Sequence, residues 1–165
     1  MVDPHVFLRL DAPNSLGTTA TGASFATSTG DVLEVSCFGP GIFRLRAGPN
    51  TRPDYGIVTG RAKPCAVEQP APDVWRFSSG DATLELAGSP LSFRLAWKGR
   101  PVTQSITDLH FGGHTRLPAF GRVRASPRWI ASLALSSGEP VYGLGEKFGP
   151  LDKRGQLVHS QVEDC

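Results

Sequence analysis

Hydrophobic and polar residues alternate along much of the chain after residue 30. The alternation is clearest in Ile42–Ala47, where arginines separate the apolar residues, and in Leu91–Trp97. Since successive side chains of a strand point to opposite faces of its sheet, both segments are predicted to be strands with one buried face. The same reasoning predicts further strands at Val32–Cys37, Val74–Phe77, Ala82–Leu86, Trp129–Leu135 and Val141–Leu144.

Turn-forming residues separate these segments. Gly39-Pro40-Gly41 predicts a tight turn, because glycine tolerates positive φ and proline fixes φ. Ser78–Asp81 is suited to join a hairpin, and Lys98–Pro101 is expected to reverse the chain again. The small polar residues at 18–24 are expected to form a loop or a frayed edge strand. We therefore expect about seven to nine short antiparallel strands, arranged as a sandwich or a barrel.

Helix-breaking residues are frequent and scattered, with 19 glycines and 14 prolines. The longest stretches free of both have 10 residues, as in Val102–Phe111. An average helix of roughly 11–12 residues would have to cross such a breaker. The predicted fold class is therefore all-β, with few or no helices.

Charge and cysteine content narrow the functional classes. The 17 Lys and Arg residues nearly balance the 15 Asp and Glu residues, and no basic cluster is present, so no nucleic-acid partner is expected. No apolar run approaches the roughly 18 residues of a membrane span, so no membrane partner is expected. The cysteines Cys37, Cys65 and Cys165 are odd in number and widely spaced, which favours free thiols. Without a signal-peptide pattern, they predict a cytoplasmic protein.

Neither a metal nor a cofactor is expected from the sequence. His110 and His114 have the spacing of a helical metal pair, but two glycines separate them and no third ligand is near. The glycines of 143–149 do not have the spacing of a phosphate-binding loop, and their conformational freedom is the simpler explanation.

The segment Tyr142–Gln156, which begins Tyr-Gly-Leu-Gly-Glu, resembles a segment of glycoside hydrolase family 31, the α-glucosidase and α-xylosidase family. Weaker similarities at Phe43–Arg46, Pro53–Gly56 and Glu139–Val141 appear in the family's order. The resemblance implies a galactose-mutarotase-like antiparallel β-sandwich at residues 1–144. It also implies that residues 145–165 form a truncated loop leading toward a catalytic (β/α)8 barrel that this chain does not contain.

The resemblance also implies an activity for the whole enzyme. Family members hydrolyse α-glycosidic bonds with retention, using two aspartates on the barrel. The nucleophile belongs to a Trp-x-Asp-Met motif, and no tryptophan of this chain is followed by Asp two positions later. No catalytic residue is therefore expected, and the chain is predicted to be an inactive, non-catalytic part of an α-glycosidase. Its expected partners are the barrel of the same enzyme and an α-linked sugar.

One substrate contact follows from the same resemblance. In several family members, an aspartate roughly twenty residues after the Tyr-Gly-x-Gly-Glu segment hydrogen-bonds a sugar. Asp164 follows Tyr142 at this separation, although Gln161-Val162-Glu163 replaces the aromatic residue and Asn found before it in many members. Asp164 is therefore the predicted substrate-binding residue, acting only when the barrel is present.

Other residues have simpler explanations. Glu146 lacks a partner carboxylate and is predicted to be structural. Lys153 and Arg154, beside Asp152, are predicted to form a solvated turn with weak ion pairs. Trp75, Trp97 and Trp129 could form a sugar-stacking platform, but their alternating positions favour burial in the core.

A stand-alone carbohydrate-binding sandwich is the alternative function. A mutarotase-like epimerase is a third, which would need a positioned His and Glu.

Overall fold

The structure, a computed structural model, describes residues 7–12, 14–48, 60–106, 109–111, 115–123, 129–142, 151–152 and 154. The chain divides into two compact units, Met1–Ala134 and Leu135–Cys165. The described part contains strands and turns and no helix. The predicted domain boundary after residue 144 stays a prediction, since residues 143–150 lie outside the described ranges.

The strands all belong to the first unit and pair antiparallel throughout. In chain order they are β1 (Phe7–Arg9), β2 (Asn14–Thr19), β3 (Gly22–Ala26), β4 (Val32–Gly39), β5 (Ile42–Gly48), β6 (Ala66–Ala71), β7 (Val74–Ser79), β8 (Ala82–Gly88), β9 (Leu91–Trp97), β10 (Arg100–Ser105), β11 (Leu109–Phe111), β12 (Thr115–Leu117), β13 (Phe120–Val123), β14 (Trp129–Ala131) and β15 (Leu133–Ala134).

Two sheets dominate the unit. One has four strands in the order β2-β3-β4-β5, and the other has six in the order β15-β10-β9-β8-β7-β6. A three-stranded sheet, β1-β13-β14, and the hairpin β11-β12 complete the described strands. Most neighbours in the large sheets are also neighbours in sequence, as short turns between antiparallel strands require.

The residues at the tight turns suit the backbone conformations that these turns require. Between β9 and β10, Lys98 and Gly99 both have positive φ, 50° and 75°. Two positive φ values in a two-residue hairpin loop match the right-handed twist of the flanking strands. Gly41, between β4 and β5, has a φ of 75°. The predicted turns at residues 39–41, 78–81 and 98–101 are confirmed.

The core lies where the two large sheets face each other. From the four-stranded sheet, Phe25, Leu33 and Val35 are buried, and from the six-stranded sheet the buried set is Trp75, Phe77, Leu84, Leu86 and Leu91. Phe25 of β3 meets Trp75 of β7 edge to face, with ring centroids 4.7 Å apart. The two inner faces therefore form one hydrophobic layer, as in a β-sandwich, and the predicted all-β antiparallel sandwich is confirmed.

Backbone contacts also join the segment between β1 and β2 to the six-stranded sheet. The Ala12 N–H donates to the Gly88 carbonyl oxygen at 2.7 Å. A Cβ on Gly88 would lie 2.6 Å from the Ala12 carbonyl oxygen and 3.1 Å from Trp75. Glycine is therefore needed at position 88, because any side chain would force the two segments apart.

The outer face of the six-stranded sheet carries a row of polar side chains in matching register. Arg76 pairs across strands with Glu68 and Glu85, and Glu85 stands opposite Arg94. The Arg76 Nη2 contacts Glu85 Oε1 at 2.8 Å. Opposite charges in directly facing positions support the sheet modestly, because both side chains remain partly solvated.

Several details differ from the sequence-based expectations. The expected loop or edge strand at residues 18–24 holds for the end of the edge strand β2 and the turn at residues 20–21, but residues 22–24 belong to the interior strand β3, which buries Ala23 and Phe25. The segment Trp129–Leu135 does not form one strand, because β14 and β15 pair with different sheets on either side of Ser132. Val141 and Tyr142 are not in a strand. The described strands outnumber the expected seven to nine, because short strands with weak alternation, such as β6 and β10, were not predicted.

Candidate functional site

Most of the residues for which the sequence suggested a functional role lie outside the described ranges. Asp164 and Glu146 both lie there, as do the histidines at positions 5, 114 and 159. The substrate-contact role of Asp164 therefore stays a prediction. The structure does describe both flanks of residues 143–150, the central part of the segment that carries the family resemblance, with Tyr142 on one side and Asp152 and Arg154 on the other.

Those flanks are joined by a set of hydrogen bonds within the second unit, which we call the C-terminal clasp (Ser136–Val141, Asp152 and Arg154). The Asp152 Oδ1 accepts hydrogen bonds from the N–H of Val141 and from the N–H of Arg154, both at 2.9 Å. The Asp152 carboxylate therefore links the backbone at Val141 to the backbone at Arg154. Tyr142, directly after Val141, is 61% exposed.

Arg154 completes the clasp from the other side. Its Nη1 donates to the carbonyl oxygens of Ser136 at 2.9 Å and Glu139 at 2.6 Å. The Glu139 Oε2 accepts from the Ser136 N–H at 2.7 Å, closing the turn that contains Gly138 at a φ of 74°. Arginine suits this position because its planar guanidinium presents several donors in fixed directions.

The clasp shifts the titration of its carboxylate. Hydrogen bonds from the Val141 and Arg154 N–H groups hold the pKa of Asp152 below its ordinary value, and the Arg154 charge adds to the effect. Asp152 thus stays ionised at neutral pH and acts as an acceptor only. Asp152 and Arg154 are exposed, as the predicted solvated turn requires, but nothing in the sequence indicated that both side chains bind backbone groups of Ser136–Val141.

The three tryptophans occupy different environments. Trp75 is 4% exposed and Trp129 is partly buried against the core, as predicted. Trp97 is 41% exposed, so the prediction of core burial is wrong for it. It is the last residue of β9, directly before the turn at Lys98 and Gly99.

A small group of polar side chains accompanies the exposed Trp97 ring. A Cβ on Gly41 would lie 3.0 Å from Trp97 Cζ3, so the missing side chain at 41 gives the indole its place. The neighbouring Lys98 Nζ lies 3.5 Å from Asp81 Oδ2, and both side chains are exposed. An exposed aromatic ring can stack on a sugar, and carboxylate and ammonium groups can hydrogen-bond sugar hydroxyls.

A cavity of about 370 Å³ also opens between the sheets of the first unit. Its described lining is apolar, including Leu33, Leu91, Phe120 and Trp129, with no titratable side chain. Sugar sites need convergent polar groups to orient the hydroxyls, and this cavity offers none among its described walls. It is therefore not a candidate sugar site.

The described residues offer no metal-binding chemistry and no membrane-spanning helix. No cluster of three or more His, Cys, Asp or Glu side chains that could hold an ion occurs among them. Within the same ranges, no helix is long and apolar enough to cross a bilayer.

Comparison with known proteins agrees with this architecture. Residues 32–165 match the sequence model of the glycosyl hydrolase 31 N-terminal galactose mutarotase-like domain. The chain is also similar to an alpha-xylosidase of Emericella nidulans, with 57% identity over 35 residues. That match covers 21% of this chain and only 4% of the relative. Since the family match spans most of the sequence, the chain belongs to the family of glycosyl hydrolase 31 N-terminal galactose mutarotase-like domains.

Proposed function

We propose that this chain serves as a non-catalytic N-terminal domain of a retaining α-glucosidase or α-xylosidase, and that it helps to shape the sugar pocket. The observation that carries the proposal is the C-terminal clasp. It joins Val141, directly before the segment that resembles the family, to Asp152 near the end of that segment. The family membership of the chain supports the same assignment.

The clasp would contribute by fixing the base of a loop before any substrate arrives. Asp152 and Arg154 hold Ser136–Val141 through three hydrogen bonds to backbone groups, one accepted by Asp152 and two donated by Arg154. A loop whose base is fixed loses less conformational entropy on binding a sugar. Asp164 follows ten residues after Arg154, and we propose that it accepts a hydrogen bond from a sugar hydroxyl.

The proposed partners are an α-linked sugar and the catalytic barrel of the same enzyme. The barrel would provide both catalytic aspartates, and this chain would provide one wall of the pocket. We further propose a cytoplasmic location, where Cys37 and Cys65 would persist as the free thiols that the structure contains.

The test uses a protein in which this chain is joined to a family 31 barrel. We expect Asp164→Ala to lower kcat/KM by roughly 10- to 150-fold, the equivalent of about 1.5–3 kcal/mol for a charge-assisted hydrogen bond. Glu163→Gln, which removes the neighbouring charge, is the matched control and should leave the kinetics nearly unchanged. Normal kinetics of the Asp164→Ala protein on every α-glycoside that the parent cleaves would exclude the pocket role.

The clasp itself can be tested in the same protein. Arg154→Gln removes the guanidinium that binds Ser136 and Glu139, and we expect kcat/KM to fall while the thermal midpoint of the first unit is retained. Arg94→Gln provides a matched control on the outer face of the six-stranded sheet. Equal kinetics for both variants would contradict a positioning role for the clasp.

A second candidate function, a stand-alone carbohydrate-binding module, is favoured by Trp97. Its 41% exposure and the nearby Asp81–Lys98 pair form a surface that could take up a sugar without a barrel. Titration calorimetry of the isolated chain with maltose and with a xylosylated oligosaccharide separates the two candidates. Binding that is absent or weaker than millimolar favours the accessory domain, because a single exposed surface lacks the concave walls of a pocket. Micromolar binding that Trp97→Ala abolishes, and Leu133→Ala does not, favours the stand-alone module.

A further inference from the structure

Two cysteine side chains meet where the chain crosses from one large sheet to the other. Cys37 lies on β4 and is fully buried, while Cys65 directly precedes β6 and is partly buried. Their backbone N–H groups donate to the consecutive carbonyl oxygens of Thr21 and Ala20, which brings the two residues side by side, and the Cys65 side chain packs against the core. They are far apart in sequence, so only the fold brings them together.

Backbone hydrogen bonds hold this arrangement in place. The Cys37 N–H donates to the Thr21 carbonyl oxygen at 2.9 Å, and the Lys63 N–H donates to the Cys37 carbonyl oxygen at 2.7 Å. The Cys65 N–H donates to the Ala20 carbonyl oxygen at 2.9 Å. The segment 63–65 thus lies beside β4, and both cysteines border the Ala20-Thr21 turn that joins β2 to β3.

We propose that Cys37 and Cys65 are a redox modification site, which closes to an intramolecular disulfide when the protein meets a low-molecular-weight disulfide such as oxidised glutathione. The disulfide would link the four-stranded sheet to the crossover into the six-stranded sheet. This inference is independent of the proposed role in a sugar pocket, since neither thiol belongs to the clasp or to the Trp97 surface.

The chemistry proceeds by two exchanges. Cys65, the more exposed thiol, loses its proton and attacks one sulfur of oxidised glutathione, which forms a mixed disulfide and releases one glutathione thiolate. Cys37 then loses its proton and attacks the Cys65 sulfur, which forms the Cys37–Cys65 bond and releases the second glutathione thiolate. The two released thiolates take up two protons, so the protein is oxidised by two electrons and glutathione disulfide is reduced by two.

The environment of Cys65 makes the first exchange slow. Burial raises the pKa of the Cys65 thiol above its ordinary value, and the adjacent Cys37 thiol raises it further. A small thiolate fraction at neutral pH makes a thiol slow to react. The pair is therefore expected to remain reduced in a glutathione-reducing compartment and to close under sustained oxidation.

The experiment treats the folded chain, carrying Cys165→Ser to remove the third thiol, with mixtures of oxidised and reduced glutathione. Intact-mass spectrometry should show a product lighter by two hydrogen atoms with no bound glutathione. Peptide mapping should identify a Cys37–Cys65 bond. The thermal midpoint of the oxidised form should rise by roughly 5–10 °C, because the bond restricts the unfolded chain.

Two matched variants report on the steps separately. Cys37→Ser should stop at a mixed disulfide on Cys65, since the resolving thiol is gone, and Cys65→Ser should leave the buried Cys37 unmodified. A stable mixed disulfide in the protein with both cysteines, or two thiols that stay reduced until urea unfolds the chain, would overturn the proposal. Since the parent carries both native cysteines, these outcomes can be read even if a variant fails to fold. A bond involving Cys165 in the unsubstituted chain would overturn it as well.

Discussion

The edge-to-face contact between Phe25 and Trp75 offers a quantitative test of the sandwich. Phe25 comes from β3 of the four-stranded sheet and Trp75 from β7 of the six-stranded sheet. Phe25 is 0% exposed, and the two ring centroids lie 4.7 Å apart at an interplanar angle of 68°. Replacing Phe25 by Ala removes a ring that both sheets enclose, so the change probes the interface between the sheets.

The expected cost can be estimated from its parts. Truncating a buried Phe to Ala typically lowers the free energy of unfolding by about 3–5 kcal/mol, through lost burial and the cavity that remains. The ring-to-ring interaction with Trp75 accounts for about 0.5–1.5 kcal/mol beyond burial. Domains are stable by only about 5–15 kcal/mol, so the variant should lose a large fraction of its stability.

Urea unfolding followed by circular dichroism measures this loss. We expect a lower midpoint with an unchanged slope, because the native surface should stay the same. Leu16→Ala, at a 60% exposed position on the edge strand β2, is the control and should change stability by less than about 0.5 kcal/mol.

A double-mutant cycle of Phe25→Leu with Trp75→Leu isolates the ring contact, and should give a coupling of about 0.5–1.5 kcal/mol. A loss below about 1 kcal/mol for Phe25→Ala, together with zero coupling, would refute the face-to-face packing of the sheets.

Three further predictions concern the strands, the clasp and catalysis. Gly22→Ala should lower the thermal midpoint far more than Gly17→Ala. The two φ values are similar (157° and 153°), but only at Gly22 would a Cβ overlap the Val35 carbonyl oxygen. Equal losses in the two variants would show that this steric overlap is not the cause. The folded-state pKa of Asp152 is lowered, so the stabilisation by the clasp should be complete above the ordinary value of 3.8 and disappear as the pH falls through the folded-state pKa; an NMR titration of its carboxyl carbon with a midpoint at or above 3.8 would contradict this. Finally, the isolated chain should not hydrolyse aryl α-glucosides or α-xylosides; turnover above the buffer rate, abolished by replacing a carboxylate of this chain, would disprove its non-catalytic character.

The fold class could be predicted because its determinants are local. Alternation at Ile42–Ala47 and Leu91–Trp97 shows which side of a strand is apolar, and the glycine and proline pattern marks the turns. The structure confirms strands at both segments and the turns that follow from those residues. The family resemblance likewise depended on a contiguous segment, Tyr142–Gln156, and the family match confirms it.

Alternation does not show which element covers an apolar face, and this is where the predictions were wrong. Trp97 continues the apolar side of β9, yet at the end of the strand it is 41% exposed. Trp129–Leu135 alternates as one strand would, yet Ser132 separates strands that pair with two different sheets. The extent of each partner sheet decides both outcomes, and partner sheets are built from residues distant in sequence.

The sequence by itself determined the class of this protein, an all-β N-terminal domain of the glycosyl hydrolase 31 type, through short-range patterns and one specific segment. Only the tertiary structure decided which side chains meet. It joined Asp152 and Arg154 to the backbone of Ser136–Val141, and it placed Cys37 beside Cys65. Neither contact can be predicted from a short stretch of sequence, because each joins segments that only the path of the chain through the fold brings together. Burial and backbone hydrogen bonding over the whole fold set that path.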